Sequence, residues 1–209
     1  MELQRPFKVV TPTLDGDVLA VLAHADTSFT VAQLGRLIAA SDEGLRKVVR
    51  RLVSQGIVLQ TLHGPVSTYA LNREHLAAAP LVALAQMRSR LLEGITELLE
   101  QWPTKPVYGA VFGSAARGEM TASSDIDVLV VRPAGTGDDA WDRQVDEFSR
   151  RVYGWTGNDV RVLSFDEGEL TAREPVLRDV LSHGITVCGN ATGFRRRLRN
   201  DSPGANPTV

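Results

Sequence analysis

The chain has 209 residues, with 23 Lys and Arg against 25 Asp and Glu and a single cysteine. That length leaves room for one large or two small domains, and one cysteine excludes an internal disulfide framework. No stretch reaches the ~18 apolar residues of a membrane span, and residues 1–10 lack the apolar core of a signal peptide, so a cytoplasmic protein without a membrane partner is expected. The four histidines, His24, His63, His75 and His183, lack ligand spacing, which argues against a zinc site. Cys188 lies in an apolar run, where packing explains it better than chemistry.

Residues 12–71 break into three amphipathic helical runs and a hairpin. Leu14, Val18, Val21, Leu22 and Ala25 recur at helical spacing, as do Val31, Leu34, Leu37 and Ile38. Thr30 and Gln33 stand at capping-box spacing before the second run. A third helix begins at Ser41, a good N-cap, and places Leu45, Val48, Val49 and Leu52 on one stripe, with Arg46, Lys47, Arg50 and Arg51 opposite. Residues 57–60 and 66–71 read as strands around a His63-Gly64-Pro65 tip. Three helices and a hairpin, the last helix basic on its outer face, resemble a winged helix-turn-helix over residues 1–74. The resemblance implies that the third helix enters the major groove of double-stranded DNA, with Ser41, Arg46, Lys47, Arg50 and Arg51 as the contact set and the hairpin along the backbone. A basic face that is merely solvated remains the plainer alternative.

Residues 75–102 read as one linker helix of about 20 residues, ~30 Å long at the standard rise. Leu84, Leu91 and Leu98 repeat every seven residues along it. That seam suits either packing within the chain or pairing of two subunits, and a homodimer would match a two-fold DNA operator.

The most informative stretch follows. Residues 108–112 form a short β-prone run that stops at Gly113-Ser114, where a residue without Cβ lets N–H groups approach a phosphate and a hydroxyl adds a donor. Ala115 onward is helix-prone, and Arg117 can neutralise charge nearby. Asp125 and Asp127 then open a second apolar strand, two residues apart, so both carboxylates share a face that Ile126 does not. Two carboxylates beside a polyphosphate make a Mg²⁺ site, because magnesium takes hard oxygen ligands and is commonly held by one or two carboxylates plus substrate phosphates.

Strand, Gly-Ser, helix, then Asp-x-Asp on the next strand resembles the nucleotidyltransferase superfamily of DNA polymerase β, in its minimal branch, over residues 107–189. The resemblance implies an α/β fold with a mixed sheet over residues 103–190, ATP or another nucleoside triphosphate as substrate or ligand, and phosphates held by Gly113, Ser114 and Arg117. It also implies Mg²⁺ on Asp125 and Asp127, and a third carboxylate on a later strand. There the chain departs from the pattern. In the strand around residues 158–163, Arg161 stands between Val160 and Val162 where that carboxylate is expected, and Asp159 lies one pleat step earlier on the same face. Either Asp159 completes the catalytic set with Asp125 and Asp127, or Arg161 fills the slot and pairs with one of them.

Further helices are expected over residues 141–154, 167–173 and 176–183, then a strand at 184–189. Residues 102–190 carry nine basic and fourteen acidic residues, as a metal site would require, whereas residues 191–209 carry four and one and read as a basic, flexible tail. Two functions are consistent with this reading: a DNA-binding enzyme that transfers a nucleoside monophosphate to a protein or small-molecule hydroxyl, or a regulator or antitoxin whose nucleotidyltransferase domain binds nucleotide without turnover. A toxin or other protein acceptor would be the partner in some of these cases.

Overall fold

The computed structural model describes residues 1–168, 170 and 174–200. The chain divides into two compact units, Glu2–Arg88 and a second that begins at Ser89.

In the first unit, helices α1 (Leu14–His24), α2 (Val31–Ile38) and α3 (Asp42–Ser54) are followed by the antiparallel pair β1 (Val58–His63) and β2 (Val66–Leu71) and by helix α4 (Ala78–Ala85). Local chemistry sets these boundaries. The Thr30 hydroxyl accepts from the Gln33 N–H while the Gln33 side chain accepts from the Thr30 N–H at 2.8 Å, so two donors that the helix cannot use are satisfied reciprocally. The Ser41 hydroxyl accepts from Gly44 N–H and starts α3. Gly64, with φ of 60°, closes the hairpin beside Pro65. Val18, Leu22, Leu34, Leu45 and Val49 form the centre of the core, and Phe29 and Tyr69 exchange backbone hydrogen bonds that tie the hairpin to the segment before α2.

The linker departs from the expected single helix. α4 ends at Gln86 and a separate helix, α5 (Met87–Glu100), follows. Ala78 and Ala85 join the first unit's core, whereas Leu91, Ile95, Leu98 and Leu99 are buried in the second unit. The heptad leucines Leu91 and Leu98 are thus consumed by packing within the chain.

The second unit is built on a four-stranded sheet of order β5-β4-β3-β6, with β3 (Tyr108–Phe112), β4 (Ile126–Arg132), β5 (Val160–Asp166) and β6 (Ile185–Gly189). β3 pairs antiparallel with β4 and β6, and β4 pairs parallel with β5, giving a mixed sheet. β3 is buried along its whole length, as its unbroken apolar run requires. A short helix, α6 (Gly113–Arg117), follows β3; α7 (Asp138–Thr156) buries Trp141, Phe148 and Val152; and α8 (Pro175–His183) buries Leu177 and Val180. The helix expected over residues 167–173 falls largely outside the described residues.

Residues 191–200, expected as part of a flexible tail, instead form helix α9 (Ala191–Asn200). The Asn190 side chain accepts from the N–H groups of Thr192 and Gly193, Phe194 stacks on Tyr108 at 3.9 Å, and Leu198 is fully buried. The exposed Arg195, Arg196 and Arg197 dominate the sequence here and obscure Phe194 and Leu198, the two apolar residues four apart that dock this helix. Among the described residues no helix is long and apolar enough to cross a membrane.

Candidate functional site

The sheet register brings the two halves of the motif together. Phe112 pairs with Asp127 across β3 and β4, so the chain turns at Gly113 directly beside the Asp127 carboxylate. Gly113 has φ of 65°, and a Cβ there would overlap Asp127 Oδ2. Only glycine meets both constraints. Ser114 follows in the first turn of α6 and is partly exposed.

Asp125 and Asp127 flank the buried Ile126 and share the opposite face, as the two-residue spacing requires. The approach to Asp125 is pinned from below: Asn158, 3% exposed, donates to the carbonyls of Ala122 and Ser124 at 3.3 and 2.9 Å, and the Ser124 hydroxyl accepts from Thr121 N–H. Burial, reinforced by the like charge of Asp125, pushes the Asp127 carboxyl above its ordinary range, and Arg161 opposes the shift.

The third position is held by Arg161. It pairs with Asp127 in the parallel register of β4 and β5, places Nη2 2.8 Å from Asp125 Oδ2, and lies 3.9 Å from Asp127 Oδ1. Asp159 is exposed ahead of β5, and its carbonyl accepts from Ile126 N–H. Of the two alternatives for this strand, the arginine is the one that faces the paired aspartates. Among the described residues no group of three or more His, Cys, Asp or Glu is arranged to hold a metal.

Two residues to which the sequence reading assigned no part in the site, Asp179 and His183, complete the surroundings. Asp179 on α8 accepts from Gly113 N–H at 3.3 Å and pairs with Arg117 at 3.2 Å, and His183 Nδ1 lies 3.0 Å from its other oxygen. Arg117 is also bonded through Nε to Glu119, and the two acids hold its guanidinium above the ordinary arginine value. Asp179 and His183 stand four apart on a helix that the sequence presents only as a closing element; the i, i+4 acid–imidazole pair was the available signal.

Residues 92–176 match the family model of the nucleotidyltransferase domain. The nucleotidyltransferase domain is that of a transferase, and its matched segment contains Gly113, Ser114, Asp125, Asp127 and Arg161 but stops short of Asp179. No curated protein matches the chain. Among solved structures, a toxin–antitoxin crystal structure with AMP-PNP is 21% identical, covering 53% of this chain and 82% of the other, with a TM-score of 0.41. A tri-AMPylated Shewanella oneidensis HEPN toxin in complex with MNT antitoxin is 18% identical over 54% and 87%, with a TM-score of 0.36. TrmBL2, an archaeal chromatin protein described with a novel mode of DNA binding, is 14% identical over 78% and 70%, with a TM-score of 0.31.

The basic residues of α3 lie on its exposed side. Their roles differ. Ser41 is engaged as the helix cap, Arg51 pairs with Asp15 of α1, and Lys47 pairs with Glu43 at 2.7 Å, whereas Arg46 and Arg50 have no side-chain partner among the described residues.

Proposed function

We propose that the chain is a Mg²⁺-dependent nucleotidyltransferase joined to a winged helix-turn-helix DNA-binding module, transferring AMP from ATP to the hydroxyl of a protein or small molecule. The observation that carries the reading is the overlap a Cβ at Gly113 would make with Asp127, a contact that supports a shared site for phosphate and metal ion at this turn. Asp125 and Asp127 supply the hard oxygens that fit magnesium. When bound, the ion would neutralise phosphate charge during transfer. Gly113 N–H and the Ser114 hydroxyl would donate to the phosphates that leave as pyrophosphate. The acceptor oxygen forms its bond to the α-phosphorus as the bond to the bridging oxygen breaks, and the hydroxyl proton passes to water or to Asp159. α3 would lie in the major groove with Arg46 and Arg50, which have no side-chain partner among the described residues, as its leading cations.

Arg161 favours a second reading, in which the domain binds ATP without turnover and alters the behaviour of the DNA-binding module. A guanidinium at this position neutralises the two aspartates and cannot serve as a base. Incubation of the purified chain with Mg²⁺ and α-labelled ATP separates the two. Label transfer or pyrophosphate release that disappears in Asp127→Ala establishes the enzyme. Stoichiometric ATP binding with neither product, coupled to a change in DNA affinity, establishes the sensor; absence of ATP binding removes both.

A further inference from the structure

The surroundings of Asp179 already behave as an anion site. One carboxylate takes up Gly113 N–H at 3.3 Å, contacts Arg117 Nη1 through both oxygens at 3.2 Å each, and faces His183 Nδ1 at 3.0 Å. An ionised carboxylate only accepts, so His183 Nδ1 carries its hydrogen toward Asp179 and leaves Nε2 on its far side. Glu119 holds Arg117 through Nε, which keeps the guanidinium oriented when its Nη1 partner changes. The donors come from three places in the chain, the turn after β3, the end of α6 and the end of α8, and they converge on one pair of oxygens.

From this convergence we infer that Arg117 and His183 are the side-chain half of a subsite for the terminal phosphates of a polyphosphate, and that Asp179 is the resident anion which those phosphates displace. The oxygens of a phosphate accept from the same N–H groups and carry more charge than a carboxylate. The pair now present is about one-third open to solvent, with Arg117 34% and Asp179 30% exposed at the side chain, and pairs of that kind are weak. A diphosphate or triphosphate tail therefore exchanges for Asp179 readily, whereas AMP lacks the terminal phosphates that would take its place. The inference rests on the nucleotide reading only for the identity of the guest that carries the phosphates. It makes the tail, rather than the base, the part of the nucleotide that α8 recognises.

The test is titration calorimetry of the full chain with inorganic pyrophosphate, ATP and AMP, each with Mg²⁺, on the native protein and on Arg117→Gln, His183→Gln and Asp179→Asn. Loss of one charge-assisted hydrogen bond weakens binding by about tenfold. Arg117→Gln and His183→Gln are expected to lose that much for pyrophosphate and ATP and nothing for AMP. Asp179→Asn, which keeps an accepting oxygen but sheds the competing charge, is expected to bind pyrophosphate more tightly. His183 is half exposed, so its variant preserves the fold even where the Arg117 variant does not. Equal pyrophosphate affinity in the native chain and His183→Gln overturns the inference, as does weaker binding by Asp179→Asn. If pyrophosphate binds and responds as expected while ATP fails to bind the native chain, the inference stands and the nucleotide reading falls.

Discussion

Gly113 shows how one residue can be fixed by two independent constraints, a positive φ and the closeness of Asp127. An alanine there costs of order 1 kcal/mol for the left-handed backbone and must in addition push the Asp127 carboxylate aside. Gly113→Ala is therefore expected to lose ATP binding by more than tenfold while the protein stays folded, measured by calorimetry beside a thermal melt. Native-like affinity would mean that Asp127 is not where the phosphates bind. Asp127 itself sits where its charge is disfavoured, chiefly by burial and then by Asp125. A carboxyl whose folded value is raised contributes stability that is complete below its unfolded value and is lost as pH rises through the folded one. Asp127→Asn, which cannot ionise, should thus melt above the native protein at pH 7, and the gap should close as pH falls below about 3.8, the ordinary carboxyl value. A variant that melts lower at pH 7 would show that the Arg161 ion pair outweighs burial.

At the scale of elements, α9 is the clearest addition to what the sequence alone yields. Leu198 is fully buried, and Leu→Ala at such a site costs about 2–5 kcal/mol. Leu198→Ala should lower the urea midpoint of the second unit by a corresponding amount, and an unchanged midpoint would show that the helix contributes no stability. Strands β3 and β4 and the caps of α2 and α3 were legible because their signals are local: unbroken apolar runs, a Thr-x-x-Gln box, a serine at a helix start. The Asp125, Asp127 and Gly113 cluster was legible for the same reason, since a period of two and a strand-ending glycine determine which side chains meet. Arg161 was narrowed to one of two outcomes but not decided, because the register of β5 against β4 is a long-range pairing that no local pattern fixes. Asp179 offered only its i, i+4 spacing to His183 as a signal and Asn158 none: the contacts of the first depend on where α8 lands against α6, and those of the second on a loop 34 residues earlier in the chain. The linker failed differently, as a continuous heptad disguised a change of core at Gln86, where the leucines before and after the break serve different units.

Over the whole molecule, each unit closes its own apolar core, with Leu22, Leu34, Leu45 and Val49 in one and Ala110, Leu129, Leu177 and Leu198 in the other. Two cores allow the two proposed functions to be removed separately, and the surface charges of α3 offer the means. Among the described residues Lys47 is held only by an exposed pair with Glu43, worth about 0.3–0.5 kcal/mol, and Arg46 and Arg50 have no side-chain partner, so all three are available to phosphates at little cost. For binding dominated by such contacts, log K falls with log salt at about 0.9 per phosphate neutralised. The Arg46, Lys47, Arg50 triple alanine variant is therefore expected to lose DNA affinity regardless of sequence and to reduce the salt slope by about 2 to 3, while its ATP affinity equals that of the native chain. Fluorescence anisotropy with a duplex at several salt concentrations reads the first effect and calorimetry the second. An unaltered slope would remove α3 from the DNA interface, and a parallel loss of ATP binding would show that the two functions are coupled through the chain rather than carried independently by its two cores.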